Sequence, residues 1–218
     1  MLKHVLKAIC GLLLLLVVVL PVAASTTPPD SLDTNAKQSQ WEFSAGAYYY
    51  ALPADNDILI GVFRQDLGNL HLEARYNYEG RNTASVFGGW TLSAGESFTI
   101  ALTPMSGVAF GRTAGVVPAL EMSLGYGMFD FYGEGEYLID VNDRSGNFFY
   151  SWLELGITPK DFFRGGLAAQ RTRVFESPLD VDRGLFAQFN ALPISVSVYA
   201  FNLFTDSWFM VMAVQVAW

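Results

Sequence analysis

Few residues in this chain are equipped for acid–base or nucleophilic chemistry. It carries two histidines and one cysteine. His4 and Cys10 fall in an N-terminal segment that reads as a removed leader, which leaves His71 as the sole imidazole. It stands in His71-Leu72-Glu73, with no serine two residues away. Serine-type hydrolysis needs a base within hydrogen-bond reach of its nucleophile and a third group to orient that base. His71 shows no such partner in sequence, so no catalytic residue is assigned and the chain reads as a non-enzyme. The acid pairs Asp55 with Asp57, and Asp180 with Asp182, stand among turn-forming residues, where aspartates cap turns. An acid-pair protease or a cation site are the sharper readings of those pairs. Without a cysteine the mature chain offers no disulfide, thiol nucleophile or thiolate site. Neither a metal site nor a cofactor is assigned.

The remaining charge is spaced with a period of two. From Asn69 to Glu79, Leu70, Leu72, Ala74, Tyr76 and Tyr78 alternate with His71, Glu73, Arg75, Asn77 and Glu79. That period belongs to a strand with one apolar and one polar face. Trp41, Phe43, Ala45, Ala47 and Tyr49 alternate likewise with Glu42, Ser44 and Gly46, and Phe129, Phe131, Tyr137 and Ile139 with Asp130, Glu134, Glu136 and Asp140. Phe149, Leu153 and Leu155 oppose Tyr150, Trp152 and Glu154, and Met210, Met212, Val214, Val216 and Trp218 share one face. Turn-formers punctuate these runs, as in Asp66-Leu67-Gly68-Asn69 and Asn142-Asp143-Arg144-Ser145-Gly146. The spacing predicts about twelve strands (ten to fourteen), starting near 41, 57, 69, 82, 97, 115, 128, 147, 163, 183, 194 and 207. Met105 to Gly115 reads as a Gly-rich loop with Phe110 and Arg112, free to fold into a mouth. Leu185 to Thr205 holds no charge, yet Pro193 at its centre and its β-branched residues divide it into two strands rather than one helix.

Ahead of the strands, Lys3, His4 and Lys7 precede an apolar run from Ala8 that closes at Pro21 and the small residues Ala23, Ala24 and Ser25. Basic, apolar and cleavage regions in that order read as a signal peptide over 1–24, cut near Ala24. Residues 25–40 are polar with Pro28 and Pro29 and read as a flexible periplasmic leader, and 41–218 as one domain. Removing Lys3 and Lys7 leaves 11 basic against 21 acidic residues, a net charge of −10, which excludes nucleic acid as a partner. Aromatic residues are 15% of the chain against 16% charged. So much aromatic surface with so little charge points to a wall that faces something other than water.

These features predict an all-β, closed, antiparallel up-and-down transmembrane barrel. Its polar interior collects Glu73, Arg75, Asn77, Glu79, Glu121, Glu134, Glu136 and Glu154. At the neighbours Gln170 and Arg171 only one side chain can face in; two arginines cost more than one glutamine against lipid, so Arg171 and Arg173 are placed inside. Met210 to Trp218 resembles the C-terminal signal of bacterial outer-membrane β-barrel proteins, although Val216 stands where an aromatic is usual, and 41–218 resembles the small members of that group. The resemblance implies an outer-membrane location in a Gram-negative cell. It also implies recognition by the barrel-assembly machinery, contact with outer-membrane lipid and lipopolysaccharide, and a monomer. Interior charges that pair with one another would plug the barrel; an acidic lining would instead make a narrow, porin-like pore for cations or other small solutes. A lipid- or peptide-modifying enzyme and a structural or adhesive barrel are the alternatives.

Overall fold

The computed structural model describes residues 40–53, 55–171 and 181–218. The signal segment 1–24, the leader apart from Gln40, Asp180 and Arg173 lie outside the described residues. The strands are β1 Trp41–Ala51, β2 Ile58–Leu67, β3 Leu70–Tyr76, β4 Thr83–Trp90, β5 Leu92–Gly95, β6 Phe98–Gly111, β7 Gly115–Tyr126, β8 Phe129–Asp140, β9 Phe148–Lys160, β10 Phe163–Arg171, β11 Asp182–Ala191, β12 Ile194–Phe201 and β13 Phe209–Ala217. Each of the twelve expected starts lies within two residues of an observed one.

The strands pair antiparallel in chain order, and β13 returns to β1 with Tyr50 opposite Val211 and Ala45 opposite Val216. The result is a closed barrel of twelve staves plus one extra strand, β5. β4 and β5 are two parts of one stave, both paired with β6. The break falls at Thr91, opposite Thr103 and Pro104. Pro104 has no N–H to donate to the ladder, and a contact of 3.0 Å between the Thr91 and Thr103 hydroxyls spans the gap.

Both chain ends of the barrel lie at one rim, the termini end. There the turns Gly68-Asn69, Glu96-Ser97, Gly127-Met128, Asp161-Phe162 and Leu192-Pro193 are two residues each. The opposite rim, the loop end, carries the longer connections 52–57, 77–82, 141–147 and 202–208. The stretch from Met105 to Gly111 is not a loop, which corrects the expectation of an exposed Gly-rich loop or a constriction folded into the mouth. It continues β6, and the connection to β7 is only Arg112 to Ala114. Met105, Gly107 and Ala109 face in while Val108 and Phe110 face out, an alternation that the glycines hid.

The barrel is inverted with respect to a water-soluble one. Outward side chains are large, apolar and exposed, among them Leu155 at 54%, Leu167 at 56% and Val108 at 50%. The inward face is buried and includes charges: Glu73 and Arg75 on β3 and Glu134 and Glu136 on β8 are 3% exposed or less. Aromatic rings ring the outer wall near both rims. Trp41, Phe43 and Trp218 stack at the termini end, and Tyr137 stands opposite Phe149 toward the loop end.

Candidate functional site

The interior is built around Arg75, which β3 points inward between β2 and β4. Opposite Arg75 lie Val62 on β2 and Ser85 on β4, so neither flanking strand sets an anion directly opposite it, and Glu73, two residues before it, shares its face. The guanidinium reaches across the barrel to β8. Its Nη1 is 2.7 Å from Glu134 Oε1 and 2.8 Å from Glu136 Oε2, its Nη2 is 3.0 Å from Glu73 Oε2, and Glu79 Oε1 lies at 3.9 Å. The rings of Tyr78 and Phe87 cover it at 4.3 Å each, the geometry that lets a desolvated guanidinium interact with aromatic quadrupoles. Tyr78 donates to Glu134 at 2.8 Å and accepts from Tyr150 at 2.9 Å; Ser85 donates to Glu79 at 2.6 Å.

Two further arginines bind the remaining acids. Arg64 on β2 spans Glu73 at 3.2 Å and Glu121 at 3.5 Å, and the Tyr132 hydroxyl also donates to Glu121. Arg164 on β10 pairs with Asp130 and Glu154. Trp152 Nε1 and the Tyr199 hydroxyl donate to the same Glu154 oxygen at 2.9 and 2.8 Å. Both ring nitrogens of His71 face carboxylates: Nδ1 lies 2.7 Å from Asp66 and Nε2 lies 3.5 Å from Glu73. His71, Glu73 and Glu121 are the described donors close enough to hold a metal ion. Arg64 already lies on both of those carboxylates and supplies the positive charge there.

Between these nodes lies a cavity of about 410 Å³, lined by Tyr48, Tyr50, Tyr132, Trp152, Arg64 and Glu134 among others. Toward the loop end the interior is packed shut. Val117, Leu138, Phe201 and Val211 are wholly buried, and Phe209 is 5% exposed. Phe201 stacks on Phe209 at 5.1 Å and meets Trp152 edge-on at 5.7 Å. Toward the termini end the inward-facing Ser93, Thr99 and Ser123 are exposed. Among the described residues, then, the interior is a cup open at the termini end and stoppered at the loop end.

Glu73, Arg75, Glu79, Glu121, Glu134, Glu136 and Glu154 come together inside, as their spacing indicates. Two expected members do not. Asn77 has left the strand: its φ of 60° ends β3, and its side chain donates to the Leu59 carbonyl and accepts from the Asn82 N–H. Asparagine tolerates this left-handed conformation. The reversal carries Tyr78 from the outer face, where strict alternation put it, to the inside over Arg75. Arg171 faces out. β10 sets Gln170 opposite Trp152 and Arg171 opposite Ser151, so Gln170 is the buried member, 1% exposed and bonded to the Tyr50 hydroxyl. Arg171 is the last residue of β10, at the rim, where the cost assigned to a mid-wall arginine does not arise. The residues missed were Arg64 and Arg164. In Ile58-Leu59-Ile60-Gly61-Val62-Phe63-Arg64 both faces are apolar, so no alternation marks Arg64 as inward. In Phe163-Arg164-Gly165 a register shift interrupts the pattern.

Met210, Met212, Val214, Val216 and Trp218 share the outer face of β13, since their neighbours Val211 and Ala213 point inward beside Tyr50 and Tyr48. Comparison with protein-family models and with curated proteins finds no match for this chain.

Proposed function

We propose that this chain is an integral β-barrel of a bacterial outer membrane, stoppered rather than conducting, whose internal ion pairs hold the cylinder rigid. The observation that carries the reading is the inversion of the wall. Exposed Leu, Val and Phe side chains face out of the same closed wall that buries Glu73, Arg75, Glu134, Glu136 and Glu154 on its inner side. In water such a wall would leave a very large contiguous apolar surface unsatisfied; in hydrocarbon it is the favoured side. Aromatic girdles near both rims, two-residue turns at the termini end and longer loops at the other support the same reading, with the termini end periplasmic. On this reading 1–24 is the export signal, and the outward face of β13 with its terminal Trp218 is the surface offered to the barrel-assembly machinery. The closed ladder from β1 to β13 supports a monomer in contact with outer-membrane lipid and lipopolysaccharide. A structural rather than catalytic role is supported by His71, whose two ring nitrogens face acids and not a hydroxyl. The cavity favours one second reading, a periplasm-facing cup that holds a small solute without passing it through.

Electrophoresis of boiled against unboiled protein, refolded into detergent or lipid vesicles, tests the proposal. A folded membrane barrel changes mobility on boiling and needs detergent or lipid to stay dispersed. Mature protein that is monodisperse in plain buffer, with equal mobility in both lanes, would overturn it.

A further inference from the structure

Charge on the outer wall is confined in a way that neither the barrel's closure nor its interior requires. Among the described strand residues of the loop-end half, the charged side chains that face outward are Arg171 and Arg183. They belong to adjacent strands. Arg171 ends β10 opposite Ser151, and Arg183, the second residue of β11, pairs with Ala169. They therefore stand diagonally across one strand pair, about 7 to 8 Å apart at the backbone, a gap two long side chains close easily. Neither forms an ion pair with a described carboxylate. Asp182, the acid next to Arg183 in sequence, is turned inward, where it accepts from Asn202 at 2.6 Å and from Gln170 at 3.4 Å. The Arg171 Nε is buried and has no hydrogen-bond partner. Its guanidinium lies over the Phe149 ring at 5.7 Å, and Phe149 stands opposite Tyr137 in the loop-end girdle.

A girdle of this kind marks the headgroup level of a bilayer. An arginine there keeps its apolar stem against the wall and raises its head toward the polar layer. Two guanidiniums without a described carboxylate partner, carried by adjacent strands at that level with Arg171 resting over Phe149 on the β9 side and Arg183 on the β11 side, are within side-chain reach of one phosphate between them, a group to which arginine donates bidentately. The girdle at the termini end, with Trp41, Phe43 and Trp218, carries no outward arginine of its own. Building on the membrane reading above, we propose that Arg171 and Arg183 form a fork that clasps the phosphate of a lipid headgroup in the leaflet at the loop end.

The test uses the full mature chain refolded in detergent micelles doped with lipid A, its dephosphorylated form, or inorganic phosphate, with bound species counted by native mass spectrometry. The intact chain retains lipid A, and the double variant Arg171→Gln/Arg183→Gln retains it about thirtyfold less tightly, the sum of two headgroup-level arginines. Dephosphorylated lipid A binds the intact chain as weakly as lipid A binds the variant, and millimolar inorganic phosphate does not displace the lipid. Arg81→Gln, at the same rim but paired with Asp55 at 3.0 Å, leaves retention unchanged. Equal retention of the two lipids, no loss in the double variant, displacement by free phosphate, or an equal loss in Arg81→Gln would each overturn the fork. Both variants sit at the rim and keep the boiling-dependent mobility shift. A chain that shows the shift but ignores phosphate sinks this inference alone, whereas a chain without the shift sinks the membrane reading beneath it.

Discussion

Arg75 shows how far a single buried side chain governs the interior. Glu73, Glu134 and Glu136 all lie within 3.0 Å of its guanidinium, and each is 3% exposed or less. Removing one partner of a buried pair leaves an uncompensated charge and costs about 3 to 5 kcal/mol. Arg75→Met is therefore expected to lower stability by about that amount in urea unfolding of the vesicle-refolded protein. Adding Glu136→Gln to that variant should recover part of the loss, because it withdraws one of the stranded carboxylates; a double variant no more stable than the single one would show that the charges are not coupled. Tyr78→Phe removes a hydroxyl that both donates to Glu134 and accepts from Tyr150, and is expected to cost about 1 to 3 kcal/mol in the same assay.

At the scale of the strands, what positions Arg75 is space made elsewhere. Phe87 on β4 covers its guanidinium, and Phe87 fits only because Gly107 stands opposite on β6. A Cβ at Gly107 would meet the Val86 carbonyl oxygen at 2.6 Å and the Phe87 ring closer still. Gly61, on the outer face of β2, has no heavy atom within 4 Å of such a Cβ. Gly107→Ala is thus expected to destabilise by about 1 to 3 kcal/mol through overpacking, and Gly61→Ala to stay within about 0.5 kcal/mol of the parent. Equal unfolding midpoints for the two variants would contradict this account of the β4–β6 contact.

At the scale of the molecule, the two rims differ in kind. Phe201, Phe209, Leu138 and Val117 fill the loop end without exposure above 5%, while Ser93, Thr99 and Ser123 leave the termini end open. On the stoppered reading proposed above, which rests on the described residues of the loop end, the cylinder passes no ions even though its interior is rich in acids. The intact protein in planar bilayers is expected to give no reproducible conductance steps, and regular steps that change with a charge substitution at Glu134 would show instead a continuous path past Phe201 and Phe209.

The strand number, the outward and inward faces of most strands and most of the acidic interior were legible in the sequence, because a strand's side chains alternate with period two and a slip of one residue would expose every charge on the wrong face. His71, Glu73 and Arg75 announce themselves in that way. Alternation is a local signal, however, and fails where local geometry departs from it. The left-handed Asn77 brings Tyr78 inside, the glycines of β6 made a strand read as a loop, and at Gln170 and Arg171 only pairing with Trp152 and Ser151 decided which one enters. Which acid meets which arginine, and which rim is closed, depend on staves distant in sequence being brought face to face across the barrel. Those distances are set by closure of β1 on β13 and by the stagger between strands, quantities that no stretch of sequence contains by itself.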